Sequence, residues 1–439
     1  MVHRSKPAAF LLVIILSLFG YSCGVGPSEG STSSPRSDET ETQKEAALGR
    51  LYQRRAQELV ASMDDSTLAA QVLLSAVNGS RSLAPPMEAL LRKIPVGGVL
   101  FFKYNLDQGS EAIRGLSDRC VATVSSSGIG VAPFVAVDHE GGSVYRLGTS
   151  ATHLPSPQRF AETLKPRGPV SAAEVIEESA YLSGKELRAL GINFNVAPVA
   201  EVLNDQNKGF LGSRTYGRDG DFVATAASAF VLGMDRAGVA CVVKHFPGNG
   251  TGDPHHGLVI LKEERGELEK SVAPFIGVLK RSNPGALMVS HTIVPALDPK
   301  NPSSLSKTVM TGWLKKDLAF PGILLADDFR MGAIAALSLS PSAAVLQSIA
   351  AGADMVMTWP QDLERVHGAL VQALAQGTLD RERLRDAARR IVYQKLRYRI
   401  VPPGTGEGAG AVPSIEELPI LKKATETYLK AQLGNLSPL

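Results

Sequence analysis

The chain of 439 residues is poor in cysteine and in excess charge. Its three cysteines form no CxxC or other metal-type spacing, which argues against a zinc-finger protein. We interpret Cys120 and Cys241 as two free buried thiols, with a disulfide between them in an oxidising compartment as the alternative. The net charge of +3, without a dense Lys/Arg block after residue 5, predicts no nucleic-acid partner.

Apolar runs long enough to span a membrane are also lacking. The run Ala8–Phe19 is too short for a spanning helix. It follows a basic start and precedes Ser22 and Cys23, which is typical of a lipoprotein signal over residues 1–23. We therefore expect an exported protein that faces the periplasm or cell exterior and is held on the membrane by a lipid on Cys23, with ordinary secretion as the alternative. Residues 24–48 are polar and rich in Gly, Ser and Pro, which predicts a disordered tether.

The segment 49–400 alternates short apolar runs with helical patterns. Most of the runs are apolar throughout, as expected for strands that are covered on both faces. The eight candidate strands are 71–77, 96–102, 133–138, 192–199, 239–246, 285–293, 322–328 and 353–359. Eight strand–helix units predict an α/β fold, a (β/α)8 TIM-type barrel forming a single catalytic domain. A doubly wound sheet is the alternative, but no GxGxxG motif follows the first strand. Residues 401–439 are predicted to form a linker and a short helix.

Polar side chains gather where these strands end, which in such barrels is the catalytic rim. They are Asp138, His139, Glu140, Glu201, Arg214, Lys244, His245, His291, Asp327 and Asp328. We expect His291 to be structural and Glu140 to hold the loop backbone.

Two of these positions indicate a reaction. Asp327 directly follows an apolar run, where a carboxylate can act as nucleophile. Asp253 and His255 form a D-x-H pair in a loop, so the carboxylate can orient the imidazole as an acid/base. Together they match the scheme of retaining glycosidases. Asp328 is the alternative nucleophile, although strand alternation turns one of the two acids away.

A metal site is the competing interpretation. It would use His245, His255 and the exposed His256 together with the nearby acids. No HExxH or comparable spacing supports it, so we expect neither metal nor cofactor.

The motifs themselves resemble the β-N-acetylglucosaminidases of glycoside hydrolase family 3. They are AVDHEGGSVYRL (136–147), GSRTYGRD (212–219), VVKHFPGNG (242–250), DPHHGL (253–258), MVSHTIVP (288–295) and LADDFRMGAI (325–334). The resemblance covers roughly residues 55–400, with the motifs in the expected order. The sequence departs from the family at His139, Asn249 and Pro254, and its loop between Gly250 and Asp253 is about two residues short.

The resemblance implies a role for each matching residue. Asp327 is the nucleophile, His255 the acid/base and Asp253 its partner. The sugar-binding residues are Asp138, Arg146, Arg214, Lys244 and His245. The implied activity is exo-hydrolysis of terminal β-linked N-acetylglucosamine in peptidoglycan fragments or chito-oligosaccharides, by a monomer. The alternatives are a phosphorylase that uses the same site and a non-catalytic sugar-binding surface lipoprotein.

Overall fold

The computed structural model describes residues 35–249, 252–261, 265–400 and 412–434. The predicted signal, Cys23 and the first part of the predicted tether lie outside the described residues, as does most of the predicted linker after residue 400. Within the described residues, no helix combines the length and the apolar composition that crossing a membrane requires.

Eight parallel strands close into a barrel, which confirms the predicted (β/α)8 fold. The barrel strands are β1 (Leu73–Ala76), β2 (Gly98–Phe101), β3 (Phe134–Val137), β6 (Phe194–Asn195), β7 (Ala240–Phe246), β9 (Ala286–Val289), β12 (Ile323–Ala326) and β13 (Met355–Thr358). Their order around the barrel is β1-β13-β12-β9-β7-β6-β3-β2. Each of them lies inside or overlaps one of the eight apolar runs, because a strand covered on both faces needs an apolar side chain at almost every position.

Two small sheets lie beyond the ends of the barrel strands. One joins β4 (His139–Gly141) to β5 (Val144–Tyr145), and the other joins β8 (Val259–Ile260), β10 (Thr292–Val294) and β11 (Asp298–Pro302). They give the loops after β3, β7 and β9 a regular backbone. Parts of these loops are therefore held by paired strands.

Helices surround the barrel. The described α-helices are α1 (Pro35–Ala61), α2 (Asp65–Gln71), α3 (Pro85–Lys93), α4 (Ser110–Ser125), α5 (Pro157–Leu164), α6 (Pro169–Ala189), α7 (Lys208–Leu211), α8 (Gly220–Arg236), α9 (Arg265–Ser282), α10 (Gly332–Ala335), α11 (Pro341–Ala351), α12 (Pro360–Ala375), α13 (Arg381–Arg397) and α14 (Leu418–Leu433). A π-helix covers Thr308–Asp317. Cys120 and Cys241 are both free and buried, which confirms the interpretation as unpaired thiols.

Helix α13 lies across the amino-terminal end of the barrel. Arg383 bonds the Ala353 carbonyl oxygen just before β13, and Arg390 bonds the Gly322 carbonyl oxygen just before β12. Lys395, fully buried, donates to Gln71 before β1 at 3.0 Å. The contacts at this end of the barrel are therefore structural, which leaves the opposite rim for chemistry.

Helix α1 corrects the prediction of a disordered tether over residues 24–48. The helix begins at Pro35, so residues 35–48 are helical. Glu, Gln, Lys and Ala in this segment are good helix formers, and the helix continues into a part that packs on α13 through buried Ala56 and Val60. The prediction considered only the missing apolar periodicity, whereas the packed part of the helix stabilises the polar turns that precede it.

Candidate active site

Asp327 lies directly after β12, and its side chain is buried among polar groups. Its carboxylate accepts the backbone N–H of Asp328 at 2.8 Å. Burial by itself would raise the pKa of Asp327, but the electrostatic effect of His291 and His245 brings that pKa below its ordinary value. The side chain is therefore an ionised carboxylate at neutral pH, the form that a nucleophile needs.

Asp328 faces a different set of groups. Its carboxylate accepts the indole N–H of Trp359 at 2.9 Å and the backbone N–H of Arg330 at 2.9 Å. Burial is the main reason that the pKa of Asp328 is raised. Because its carboxylate oxygens are engaged in positioning the loop, Asp327 is the better candidate for a reacting carboxylate.

His291 is fully buried beside the two acids. Its Nδ1 lies 2.6 Å from the Ser304 hydroxyl and its Nε2 lies 2.9 Å from the Asp328 carbonyl oxygen. Burial lowers the pKa of His291 despite the nearby carboxylates. With both ring nitrogens bonded inside the protein, the residue has the contacts of a structural histidine.

The Asp253–His255 pair forms as the D-x-H spacing predicts. His255 Nδ1 lies 2.6 Å from Asp253 Oδ1, and the same oxygen accepts the His255 backbone N–H at 2.9 Å. These two bonds lower the pKa of Asp253 although its partial burial acts in the opposite direction. An ionised Asp253 at Nδ1 leaves Nε2 of His255 as the nitrogen that can meet a substrate.

The loop that carries His255 is attached to the segment that follows Asp327. The Gly332 N–H donates to the His255 carbonyl oxygen at 3.1 Å, and the Ala333 N–H donates to the Pro254 carbonyl oxygen at 3.1 Å. A Cβ at position 332 would lie 2.6 Å from the His255 carbonyl oxygen, so the close approach requires glycine. Asp327 and His255 therefore sit on two loops that are bonded to each other.

Lys244 of β7 and Arg214 of the loop after β6 pair with two carboxylates that follow β3, Asp138 and Glu140. Lys244 lies 2.8 Å from Asp138 and 2.6 Å from Glu140. Arg214 binds both oxygens of Glu140 at 2.9 Å. Burial would raise the pKa of Glu140, but Lys244 and Arg214 bring it down to about 2. The expectation that Glu140 holds the loop backbone is wrong, because its carboxylate is the counter-charge of two sugar-binding candidates.

His245 belongs to a second polar chain next to this cluster. Its Nδ1 lies 2.6 Å from Glu201, which also accepts the Asn249 backbone N–H at 2.5 Å. Asn249 in turn accepts the Thr292 hydroxyl at 2.8 Å. All four side chains are buried, so the imidazole orientation is fixed before any ligand binds.

The structure brings Asp138, Arg214, Lys244 and His245 together, whereas among the described residues no hydrogen bond or ion pair joins Arg146 to them. Arg146 follows β5, and its buried Nε has no hydrogen-bond partner among the described residues. His139 also points away, toward Ser183 at 3.1 Å, where burial is the main reason that its pKa falls to about 4.

Sequence reasoning missed two aromatic residues of the site. Trp359 bonds Asp328, and Phe210 contacts Arg214 as well as His245 and His255. Trp359 ends a candidate strand, so its position at the rim was a usable signal. Nothing in the local pattern around Phe210 marks it, because its contacts come from residues distant in sequence.

The arrangement can form and cleave an acetal bond. It places an ionised carboxylate and a carboxylate-paired imidazole on linked loops, next to several charged hydrogen-bonding groups that suit sugar hydroxyls. Within the part of the chain that the structure describes, no group of three or more His, Cys, Asp or Glu side chains has a metal-binding arrangement.

Comparison with known proteins is consistent with this geometry. The model of the glycosyl hydrolase family 3 N terminal domain matches residues 55–393. The beta-hexosaminidase A of Pseudoalteromonas piscicida is 28% identical over 72% of this chain, and the chain spans only 56% of that protein. The beta-hexosaminidase of Thioalkalivibrio sulfidiphilus is 32% identical over 64% of this chain and 79% of its own length.

A solved structure extends the likeness to the fold. The family 3 beta-N-acetylglucosaminidase from Paenibacillus sp. superposes with a TM-score of 0.73 at 28% identity. The match covers 84% of this chain and 69% of the Paenibacillus protein.

Proposed function

The chain belongs to glycosyl hydrolase family 3, among the β-hexosaminidases of that family, and we propose that it is a retaining exo-β-N-acetylglucosaminidase. Its substrates are peptidoglycan fragments or chito-oligosaccharides with a terminal β-linked N-acetylglucosamine. The observation that carries the proposal is the pairing of two loops, one with ionised Asp327 and one with the Asp253–His255 dyad.

The proposed reaction has two steps that use these groups in turn. Asp327 attacks the anomeric carbon while His255 gives its Nε2 proton to the leaving oxygen, and a covalent glycosyl-aspartate forms. His255, now neutral, then removes a proton from water as the water attacks the same carbon. The configuration is retained because two inversions occur. Asp253 stabilises the imidazolium before the first step and after the second.

Binding of the terminal sugar is assigned to the charged groups beside this dyad. Asp138, Lys244 and Arg214 form a preorganised set, because Glu140 holds Lys244 and Arg214 while Lys244 holds Asp138. Charge-assisted hydrogen bonds from such groups to hydroxyls are stronger than neutral ones. His245 and Arg146 complete the proposed set of sugar-binding residues.

Trapping the intermediate tests the proposed chemistry. A 2-deoxy-2-fluoro glycosyl fluoride should inactivate the enzyme and label the peptide that contains Asp327, whereas Asp327→Asn should lose turnover of a chromogenic N-acetylglucosaminide. A label on Asp328 would overturn the assignment. Binding of the sugar without turnover above the Asp327→Asn level would favour the non-catalytic alternative.

Hydrolysis and phosphorolysis are separated by the product. We propose hydrolysis, so free sugar should form at the same rate with and without phosphate in the buffer. Release of sugar 1-phosphate, dependent on phosphate concentration, would replace the hydrolase by a phosphorylase that uses the same residues.

We also propose that the protein is exported, works as a monomer and is attached to the membrane through a lipid on Cys23. The support for export and attachment is the signal pattern of residues 1–23. Membrane fractionation of the full chain and of Cys23→Ser tests the attachment. Retention of the serine variant in the membrane fraction would contradict it.

A further inference from the structure

Phe210 contacts three of the proposed functional residues but has no role of its own in the proposed reaction. It lies on the short helix α7 in the loop after β6 and is half-buried. Its ring centroid lies 5.9 Å from that of His255 and 5.8 Å from that of His245. The Arg214 guanidinium carbon lies over the same ring, 5.2 Å from its centroid. One aromatic ring thus contacts the acid/base and two sugar-binding candidates.

His255 needs such a contact because little else restrains it. Its side chain is 58% exposed, and in the described residues its ring has one hydrogen bond, from Nδ1 to Asp253. A single bond at Nδ1 leaves the imidazole free to rotate about that bond and to move Nε2 away from the sugar. General acid catalysis requires the donor within hydrogen-bonding reach of the leaving oxygen. Phe210 supplies a second point of contact on the ring.

We propose that Phe210 is a positioning residue that holds the His255 imidazole toward the pocket in which Arg214 and His245 bind the sugar. The inference rests on the proposed glycosidase function. Arg214 is fixed from its other side by Glu140. The chain of contacts Glu140–Arg214–Phe210–His255 therefore connects a buried, rigid cluster to an exposed, catalytic one.

The effect of displacing His255 on the reaction rate depends on the leaving group. When the C1–O bond breaks toward a sugar hydroxyl, the oxygen needs the proton of His255, because a sugar alkoxide is a poor leaving group. When it breaks toward 2,4-dinitrophenolate, the anion leaves without protonation. Displacement of His255 should therefore slow the first substrate much more than the second.

The test compares kcat/KM for chitobiose and for 2,4-dinitrophenyl N-acetyl-β-glucosaminide. We expect Phe210→Leu to lower kcat/KM for chitobiose about tenfold more than for the dinitrophenyl glycoside, a part of the ~10²–10⁴ that an acid/base contributes. Phe210→Tyr keeps the ring and should restore both values to near wild type. Tyr181→Leu is the matched control, because Tyr181 also carries an arginine over its ring, Arg236 at 4.4 Å, but lies on the outer helix α6.

Each outcome has a distinct meaning. Equal losses on both substrates in Phe210→Leu would reduce Phe210 to a structural residue and overturn the inference while the glycosidase function stands. Failure of Phe210→Tyr to restore activity on chitobiose would also overturn it. A wild-type protein that turns over neither substrate, or an Asp327→Asn variant as active as wild type, would refute the proposed function and this inference with it.

Discussion

Glu140→Gln is the perturbation whose effect can be worked out most directly from the structure. The Glu140 side chain is 1% exposed and holds Lys244 at 2.6 Å and Arg214 through two bonds of 2.9 Å. Glutamine keeps the shape but removes the charge. Lys244 is then left with Asp138 alone, and Arg214 loses its paired carboxylate. We expect lower stability and a higher KM, because both cations lose the carboxylate that holds them in the proposed sugar pocket.

The magnitude follows from the pKa of Glu140. Its fall from the ordinary 4.5 to about 2 corresponds to ~3 kcal/mol in favour of the charged form, at ~1.4 kcal/mol per unit. Removing one partner of a buried ion pair costs ~3–5 kcal/mol in other proteins. For a domain of roughly 350 residues, an unfolding entropy near 0.7 kcal/mol/K converts the lower figure into a fall of about 4 °C in the midpoint of thermal unfolding.

The pH dependence of the same variant has a definite sign. Because the pKa of Glu140 is lowered by folding, its charge stabilises the native state fully above pH ~4.5, and that stabilisation is lost as the pH falls toward about 2. The stability difference between wild type and Glu140→Gln should therefore be constant near neutral pH and shrink in acid. Circular dichroism melts between pH 3 and 7 measure it.

Glu88→Gln is the matched control. Glu88 also binds two arginines, Arg92 at 2.7 Å and Arg119 at 2.5 Å, but at the protein surface. Its replacement should leave both the unfolding midpoint and KM unchanged, because exposed ion pairs are screened by solvent. Equal midpoints for the two variants, or a Glu140→Gln enzyme with wild-type KM, would refute the view that the buried charge organises the sugar pocket.

Two further variants probe other parts of the molecule. Burial lowers the pKa of Lys395 from 10.5 to about 7, so between these pH values the unfolded chain binds more protons than the folded one. The unfolding free energy of wild type should therefore rise with pH by ~1.4 kcal/mol per unit relative to that of Lys395→Met. Urea unfolding at pH 7 and 9 would contradict this if the free-energy difference between the two proteins were the same at both pH values. In Gly332→Ala the new Cβ would lie 2.6 Å from the His255 carbonyl oxygen and displace the loop that carries His255. If His255 is the acid/base, kcat should fall about tenfold or more while the thermal midpoint changes little. An unchanged kcat would show that the loop contact has no role in catalysis.

The strands were predictable because burial on both faces leaves a continuous apolar run, and the third to seventh runs each end in or close to a polar residue of the rim. Asp327 and the Asp253–His255 pair were found for a similar reason, since the first adjoins a strand and the second is local in sequence. The partners of the buried charged groups were harder to predict from the sequence. Glu140 bonds Arg214 across 74 positions of the chain, a distance that no local pattern records.

Helix α1 is a segment whose structure the local sequence pattern does not predict. The lack of apolar periodicity in residues 35–48 predicts disorder, although their helix-forming residues continue into a packed part of the same helix. Packing on α13 is a tertiary effect and cannot be read from residues 35–48 themselves.

The sequence by itself determined the barrel, the rim proposed to carry the chemistry and the identity of the candidate nucleophile and acid/base. These features depend on patterns within a strand or loop, such as continuous apolar runs and a two-residue spacing. Only the tertiary structure decided which of two adjacent acids is available, which carboxylate neutralises Lys244 and Arg214, and which ring contacts His255. Such pairings are made by folding because they join groups from different strands, and their energies depend on burial that exists only in the closed barrel.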